Sequence, residues 1–557
     1  MKKQLSMLAI LVGASLNAQA AQSSFFTIVD DEVKGYASGI STDGSGLIGI
    51  NTKNNMAEYF STVRSADFLV DRFRFEPGCM LSSDVCNTFW DEGPTPTYAY
   101  QWRRDFLDGL DQRSNVGAAT GSEIDGVITA LGDTPVDRVG YKMDGKLRTA
   151  YAIAGDGNTV ELKDNASTYG LSHSLSVPTS IKKLNSGQYL VTGTAASGQY
   201  RHNVGGDVYN WCFTTGNDDE GGDYRYCPGV DTQASFWLLN GNGTVNKLMQ
   251  APDYGHRRDE VLQTASALSV GEFNGTLYGV GYSSTGEVGS NERDGRNLAS
   301  FWTLDLNAST VGTTQLIPLS EGEPGKDDSP LQHSWAVGIN GNGYVVGNQR
   351  YRYESAKNQN VPVEMFVFNL KTPQVNASIP LQNNPISGSG SEAAAINDHD
   401  MIVGWRDSRH QTQPVKNGTN RMQEAFLLNA ASPSNNWYLN DLICRLDNAG
   451  TKQCAQNGKY YHIAYASGIS SDGTIAATAY RYNSESDLNL RTNATVVAVK
   501  LTPAVADYQG NKPAEYVVSN APVNNQTGQD GEDGGGGSLF WLTLLALPFA
   551  WLRRYQR

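Results

Sequence analysis

The sequence lacks the motifs that identify the common catalytic sites. It contains no Gly-x-Ser-x-Gly nucleophile elbow, no His-Glu-x-x-His metalloprotease motif, no Walker-type phosphate loop and no EF-hand calcium loop. Only 18% of the residues are charged, and 57 acids outnumber 43 lysines and arginines, for a net charge of -14. Because nucleic-acid binding needs a basic surface for the phosphates, this charge argues against a nucleic-acid partner. A noncatalytic protein is therefore favoured over an enzyme.

One glycine pattern has the form of a dinucleotide-binding motif but lies in a different setting. Gly44, Gly46 and Gly49 fit Gly-x-Gly-x-x-Gly. A dinucleotide site places its pyrophosphate on the amino terminus of a helix, whereas this stretch reads as a hairpin with no helix after it. We therefore expect no nucleotide cofactor.

Residues 1–20 have the form of a secretory signal peptide. Lys2 and Lys3 precede an apolar run over residues 5–14, and a small-x-small cleavage site ends at Ala20. The apolar run is much shorter than the roughly 20 residues that a bilayer span requires. We predict export of the chain and cleavage by signal peptidase.

The last residues, 534–557, join a glycine run to a short apolar stretch and a basic end. The glycines are Gly534, Gly535, Gly536 and Gly537. This order resembles the GlyGly-type C-terminal sorting signal of Gram-negative secreted proteins, which a rhomboid-like sorting protease is thought to process. The resemblance implies a transmembrane helix that anchors the chain transiently in the inner membrane before release to the cell surface or medium. A permanent single-span anchor is the alternative.

The two terminal segments also change the charge of what remains. Together residues 1–20 and 538–557 carry five lysines and arginines and no acid, so the body without them has a net charge of -19 instead of -14. The predicted exported body is therefore strongly acidic.

The six cysteines form three couples that are close in sequence: Cys79 and Cys86, Cys212 and Cys227, and Cys444 and Cys454. An even number of cysteines in an exported chain indicates disulfides. Local pairing is the simplest of the 15 possible connectivities, because short loops close at the least entropic cost. We predict three local disulfides and, since the spacing does not fit a zinc site, no zinc.

A degenerate repeat recurs along the chain: small residues, Ile or Leu, a Gly/Asn/Asp turn, and a short apolar strand ending in glycine. Clear copies occupy residues 36–49, 333–347, 392–404 and 464–477, and weaker copies end at Gly140, Gly193 and Gly281. An aromatic-aliphatic strand follows most copies. Strands joined by Asn-Gly or Asp-Gly turns are typical of β-hairpins, so each copy predicts one small antiparallel sheet.

The irregular spacing of the copies favours one particular all-β architecture. A β-propeller accepts long insertions between its strands, so we predict about seven blades within residues 21–503. The strand Phe25–Val29 would complete the last blade and close the ring. A β-sandwich or another β-repeat is the alternative.

The copies ending at Gly347 and Gly404, with Ala425-Phe426-Leu427, resemble the HAF-type extracellular repeat proteins. Together with the glycine-rich tail, they also resemble an uncharacterised exported family of Gram-negative bacteria. Both resemblances imply export and a repeat fold, and neither supplies catalytic residues.

Two segments interrupt the repeat, near residues 54–112 and 195–235, and a polar linker occupies residues 504–533. The second insertion is rich in aromatic and acidic side chains. Its candidate ligand-binding rings are Tyr209, Trp211, Tyr224 and Tyr226, and its candidate calcium ligands are Asp218, Asp219, Glu220 and Asp223. Such rings can stack on sugars, or they can cover the core beneath the loop. The acids can ligate calcium, or they can be solvated.

These features leave two classes of function open. The first is an exported noncatalytic surface or secreted protein that binds a polysaccharide or another envelope ligand. The second is an extracellular carbohydrate-active hydrolase or lyase, which would need two carboxyl groups about 5 to 9 Å apart.

Overall fold

The fold is known from a computed structural model of the chain, and it consists almost entirely of antiparallel sheets. The structure describes residues 24–31, 35–51, 113–116, 127–144, 147–155, 157–164, 176–199, 230–252, 265–284, 297–324, 329–351, 363–385, 388–409, 423–447 and 452–504. Seven of the described sheets are arranged in a ring as blades, which confirms the predicted β-propeller.

Strand β1 (Phe26–Val29) precedes the first blade along the chain. Blades one to three are antiparallel sheets of three or four described strands. Their strands are β2 (Gly35–Ile40), β3 (Leu47–Asn51) and β4 (Arg113–Val116) in blade one; β5 (Val127–Leu131), β6 (Arg138–Asp144), β7 (Leu147–Ala154) and β8 (Asn158–Leu162) in blade two; and β9 (Ser176–Lys183), β10 (Tyr189–Gln199), β11 (Val230–Leu239) and β12 (Val245–Gln250) in blade three.

Blades four to six continue the same antiparallel order. Their strands are β13 (Ala265–Phe273), β14 (Thr276–Ser284), β15 (Asn297–Asp305), β16 (Thr310–Val311) and β17 (Gln315–Leu316) in blade four; β18 (Leu331–Ile339), β19 (Tyr344–Tyr351) and β20 (Val363–Asn369) in blade five; and β21 (Ser391–Ile396), β22 (Met401–Asp407), β23 (Gln423–Asn429) and β24 (Asn436–Tyr438) in blade six.

A short helix and a small hairpin lie between blades six and seven. They are α1 (Leu439–Leu442), β25 (Arg445–Leu446) and β26 (Lys452–Gln453). Blade seven then contains β27 (Tyr460–Ile469), β28 (Ile475–Tyr482), helix α2 (Glu485–Leu490) and β29 (Thr495–Pro503).

Strand β1 completes blade seven, as the sequence predicted. It pairs antiparallel with β29, with Phe26 opposite Pro503 and Val29 opposite Lys500. The Ala504 N–H also donates to the Phe25 carbonyl at 2.7 Å. The two ends of the described chain therefore meet in one sheet, which closes the ring and covers an edge that would otherwise be open to other chains.

The hydrophobic core lies between the blades. Each neighbouring pair of blades shares one cluster of buried apolar side chains around the ring. Between blades seven and one, for example, Ala476 packs with Ala37, and between blades one and two Ile48 packs with Ile128. A single blade therefore has no core of its own, which is why the repeat must recur.

The glycine that ends most copies of the repeat lies opposite a β-bulge. In blade six, Ala393 pairs with Gly404 and Ala395 pairs with Val403, so Ala394 is an extra residue in β21. This bulge brings the Glu392 carbonyl oxygen to 1.8 Å from where a Cβ on Gly404 would lie, so glycine is required at this position. In blade seven the corresponding residue is Ala477, opposite Ala466.

The same arrangement recurs around the ring. A Cβ would lie 2.2 Å from a backbone oxygen at Gly193, 1.9 Å at Gly281 and 2.3 Å at Gly347. All seven blades have a register shift at this place, between their first two strands. The extra residues, here called the bulge positions, are Ser38, Thr129, Thr179, Leu268, Val337, Ala394 and Ser467.

The turns between the first and second strands bond to one another from blade to blade. Asn340 donates from its side chain to the Asn397 carbonyl at 3.1 Å, and Asn397 donates to the Ser470 carbonyl at 3.0 Å. Backbone bonds continue the chain, from Ser471 N–H to the Thr42 carbonyl and from Thr42 N–H to the Gly132 carbonyl. The asparagine of the repeat thus joins adjacent blades.

Replacing Asn397 with alanine is expected to destabilise the protein by about 1–3 kcal/mol, because buried partners lose their hydrogen bonds. The Asn397 side chain is buried and also accepts from the His399 and Met401 N–H groups, both at 3.1 Å. Urea unfolding followed by tryptophan fluorescence measures the loss. The control is Asn242→Ala, in an exposed turn within blade three, where we expect a change within about 0.5 kcal/mol. Equal losses in the two variants would contradict the role of Asn397.

The antiparallel order gives the ring two different faces. The turn face holds the connections between first and second strands, and the loop face holds those between second and third strands. On the turn face these are 41–46, 132–137, 184–188, 274–275, 340–343, 397–400 and 470–474. On the loop face they are 52–112, 145–146, 200–229, 285–296, 352–362, 408–422 and 483–494. The long connections therefore join the strands at the loop face.

Candidate functional site at the loop face

Both predicted insertions connect the second and third strands of a blade. Residues 52–112 join β3 to β4, close to the predicted 54–112. The second insertion is shorter than predicted, because β10 continues to Gln199 and β11 begins at Val230, where the two residues pair. The predicted bounds of 195–235 were too wide, because strand pairing extends into polar and glycine-containing stretches. Both insertions begin and end at the loop face.

Most of the residues singled out from the sequence lie outside the described residues. These are the candidate rings Tyr209, Trp211, Tyr224 and Tyr226, the candidate calcium ligands Asp218, Asp219, Glu220 and Asp223, the signal peptide, the sorting tail, and all of the predicted linker except Ala504. The first two cysteine couples, Cys79 with Cys86 and Cys212 with Cys227, lie outside as well.

The third predicted disulfide is present. Cys444 and Cys454 are bonded, and they bracket the hairpin of β25 and β26. Cys444 is buried, and Cys454 packs against the same apolar cluster between blades six and seven. The bridge therefore fixes a connecting segment to the core of the ring.

The first strands of the blades form the innermost ring, because each contacts the first strand of the next blade. All seven bulge positions on these strands are half-exposed. In blades seven, one, two and three they carry hydroxyl groups, namely Ser467, Ser38, Thr129 and Thr179, and in blades four, five and six they are apolar, namely Leu268, Val337 and Ala394. The bulge positions of the innermost strands are therefore uncharged, with hydroxyl side chains in four consecutive blades and apolar side chains in the other three.

A largely buried cluster of charged side chains around one tyrosine lies between blade six and the segment that follows it, with Lys452 at its exposed edge. We call it the Arg409 cluster. It consists of Arg406, Arg409, Glu424, Tyr438, Asp441 and Lys452. Arg409 donates two hydrogen bonds to Asp441, at 2.7 and 2.8 Å, and Lys452 donates a third at 2.7 Å. Paired donors of this geometry hold a carboxylate firmly.

The second carboxylate of the cluster joins three stretches of chain. Glu424 accepts from the Ser408 hydroxyl at 2.8 Å, from the Arg409 N–H at 3.3 Å and from the Asn440 amide at 3.1 Å. Asn440 in turn accepts from the Ile463 N–H of blade seven at 2.7 Å. The cluster thus fixes both ends of the connection 408–422 and ties blade six to blade seven.

Tyr438 lies beneath two guanidinium groups. The Cζ atom of Arg406 is 3.4 Å from the centre of its ring, and that of Arg409 is 4.3 Å away. Burial lowers the pKa of Arg406 to about 10. For Asp441, burial by itself would raise the pKa, but the hydrogen bonds and charge of Arg409 and the charge of Lys452 outweigh it and hold the pKa below its usual value.

Sequence reasoning missed this cluster entirely. Its members come from β22, β23, β24, α1 and β26, and no spacing in the sequence brings them together. The one local signal is Glu424, an acid at the start of the apolar strand β23. Its buried partners bond it fully, so the arrangement supports structure and offers no open reactive group.

The described part of the chain contains neither a candidate metal site nor a candidate membrane span. There, no three His, Cys, Asp or Glu side chains form a group that could hold a metal ion. No helix in the same stretches has the length and apolar character needed to cross a membrane.

The chain is thus an all-β propeller of seven blades with long connections on one face. It belongs to the DUF3466 family of proteins of unknown function, whose model matches residues 110–555. Among curated proteins no sequence matches the chain.

Solved structures with a related arrangement share little sequence with it. Hydrazine synthase from Kuenenia stuttgartiensis is 11% identical, with 84% of this chain and 97% of that chain covered and a TM-score of 0.35. The β-propeller domain of the Trilobed protease from Pyrococcus furiosus is 8% identical, with 67% and 84% covered and a TM-score of 0.30. Likenesses this weak carry no information on ligand or activity.

Proposed function

We propose that this protein is an exported, noncatalytic β-propeller that binds a glycan at its loop face. The observation that carries the proposal is the asymmetry of the ring: the connections 52–112 and 200–229 both leave and rejoin described strands at the loop face, whereas the turns between first and second strands at the turn face are at most six residues long. Loops held by a rigid scaffold are the usual place for ligand binding.

The connection 200–229 supplies the side chains that suit a sugar. Tyr209, Trp211, Tyr224 and Tyr226 offer flat faces for stacking on sugar rings, and the acids among them accept hydroxyl hydrogen bonds. The strands β10 and β11 that hold this connection are paired along their full length, up to Gln199 and Val230. The connection therefore begins and ends at a paired position of two hydrogen-bonded strands.

The innermost strands also favour binding over hydrolysis. A glycoside hydrolase of the usual kind needs two carboxyl groups on either side of the scissile bond. The seven bulge positions of these strands carry hydroxyl and apolar side chains instead.

Export is part of the proposal. The signal peptide ending at Ala20 and the glycine run 534–537 would deliver the body to the envelope, through signal peptidase and a rhomboid-like sorting protease. The disulfide between Cys444 and Cys454 supports an oxidising compartment, where such bonds persist.

Binding can be tested with the protein lacking the predicted signal and tail. We expect it to bind one or more members of an envelope and extracellular polysaccharide panel, with a change in tryptophan fluorescence. The variant Trp211→Ala with Tyr224→Ala should bind at least tenfold more weakly, a loss of about 1.4 kcal/mol. The control Tyr344→Ala changes an aromatic residue next to the turn face and should leave affinity unchanged. Absence of binding across the panel, or equal affinity in all variants, would refute the proposal.

A further inference from the structure

The closing strand β1 is hydrogen-bonded along both of its edges. One edge pairs with β29. On the other edge, the Ile28 N–H donates to the side chain of Gln456 at 2.8 Å, and Gln456 donates back to the Phe26 carbonyl at 3.1 Å. One glutamine side chain thus bonds both outward-facing backbone groups, much as a further strand would.

The same glutamine is tied to the start of its own segment. Its amide also donates to the Ile443 carbonyl at 2.7 Å. The neighbouring Leu442 carbonyl accepts from the Phe25 N–H at 2.9 Å. Residues 442–447 and 452–456, which we call the clasp, therefore hold β1 at two points, one in each part.

The disulfide sets the distance between these two points. Cys444 follows Ile443 directly, and Cys454 lies two residues before Gln456. With the bond formed, the ends of the clasp are fixed to each other. With two free thiols, the two ends of the clasp can move apart. The hydrogen bonds that Leu442 and Gln456 make to β1 then form and break independently.

Strand β1 needs these additional hydrogen bonds because it is short. It contributes only four residues to the sheet, and it pairs Phe26 with Pro503 at the far end of the chain. Bringing together ends so far apart costs chain entropy that a four-residue ladder recovers only in part. Phe25 and Phe26 are fully buried between blades six and seven, so release of β1 would expose the apolar cluster there.

We propose that oxidation of Cys444 and Cys454 locks the ring of the propeller. In the reaction, the two thiols form one Sγ–Sγ bond and give up two protons and two electrons to a disulfide oxidant, which is itself reduced to two thiols. The oxidised clasp holds β1 in blade seven. In the reduced protein β1 detaches more often, so the ring closes firmly only in a compartment that forms disulfides. This lock does not depend on the proposed glycan ligand.

Native-state hydrogen exchange read by mass spectrometry tests the lock on the purified protein. In the Cys444→Ser, Cys454→Ser double variant, we expect peptides covering residues 24–31 to exchange at least tenfold faster than in the oxidised protein. Peptides from β10 in blade three should exchange at an unchanged rate. The matched control is Cys79→Ser with Cys86→Ser, which removes another predicted bridge and should leave β1 as protected as before.

A second variant separates the clasp from general unfolding. Gln456→Ala keeps both cysteines and removes the bonds to Phe26 and Ile28, so it should also speed exchange in residues 24–31. The proposal is overturned if residues 24–31 of the double serine variant exchange at a rate within twofold of that in the oxidised protein. If that variant unfolds as a whole, slow exchange of β1 in Gln456→Ala would overturn it instead.

Discussion

Replacing Asp441 with asparagine is expected to destabilise the protein by about 3–5 kcal/mol, because breaking a buried ion pair leaves its partner charge uncompensated. The Asp441 side chain is only 5% exposed, and Arg409 and Lys452 both donate to it at 2.7 Å. An asparagine has about the same shape but carries no charge to balance the guanidinium of Arg409, whose side chain is only 7% exposed. Urea unfolding at neutral pH measures the loss.

The pH dependence of stability provides a second measurement on the same residue. The pKa of Asp441 in the folded protein lies below its ordinary value of 3.8. A carboxyl group with a lowered pKa contributes stability above its unfolded pKa and loses it as the pH falls through the folded one. The free energy of unfolding should therefore fall more steeply below about pH 4 in the native protein than in Asp441→Asn.

A surface ion pair supplies the control. Glu161 lies 3.7 Å from Lys163, and both side chains are more than half exposed. Exposed pairs contribute at most about 1 kcal/mol, so Glu161→Gln should unfold nearly as the native protein does. Two results would show that the Arg409 cluster does not stabilise this part of the ring. One is a decrease in the free energy of unfolding below about 1 kcal/mol in Asp441→Asn, and the other is an unchanged dependence of that free energy on pH below about pH 4.

The blades could be predicted from the sequence because their signature is local. The closing glycine of most copies faces a bulge within its own hairpin, as Gly404 faces the Glu392 carbonyl. The turn residues are local too: Gly343 and Gly473 have φ near 83°, and Asp400 takes the same left-handed conformation in blade six. Each of these constraints acts within one hairpin, so each leaves its own trace in the repeat.

The parts that the sequence did not predict depend on distant stretches of chain. Gln456 reaches β1 across more than 400 residues, and Arg409 meets Asp441 only after β23, β24 and α1 have formed. Neither contact has a periodic pattern, because each occurs once. The disulfide could be predicted, since Cys444 and Cys454 are close in sequence, but its role in holding β1 required the fold.

The candidate site divides in the same way. The aromatic residues of 200–229 were recognised by composition, and the fold adds that their segment begins and ends at the loop face. The bulge positions could not be predicted, because the repeat does not show which residue of each first strand becomes the extra one. Their side chains also differ in size, from Ala394 to Leu268.

Replacing Gly404 with alanine should destabilise the protein by about 3 kcal/mol or more, because the new Cβ would lie 1.8 Å from the Glu392 carbonyl oxygen. The clash is with the backbone, so no side-chain rotation relieves it. The bulge of β21 would have to flatten, and Ala394 would be forced into the ladder of β22 with its register changed. Urea unfolding followed by tryptophan fluorescence measures the loss.

A glycine without this constraint provides the matched control. Gly341 lies in the turn of blade five, and a Cβ there would meet only ordinary contacts, the nearest at 3.4 Å from an Asp398 oxygen. Gly341→Ala should therefore change stability by less than about 1 kcal/mol. If Gly404→Ala were equally well tolerated, the bulge could not be the reason for the repeated glycine. A large loss at Gly404 alone would tie the glycine of the repeat to the geometry of the innermost strands.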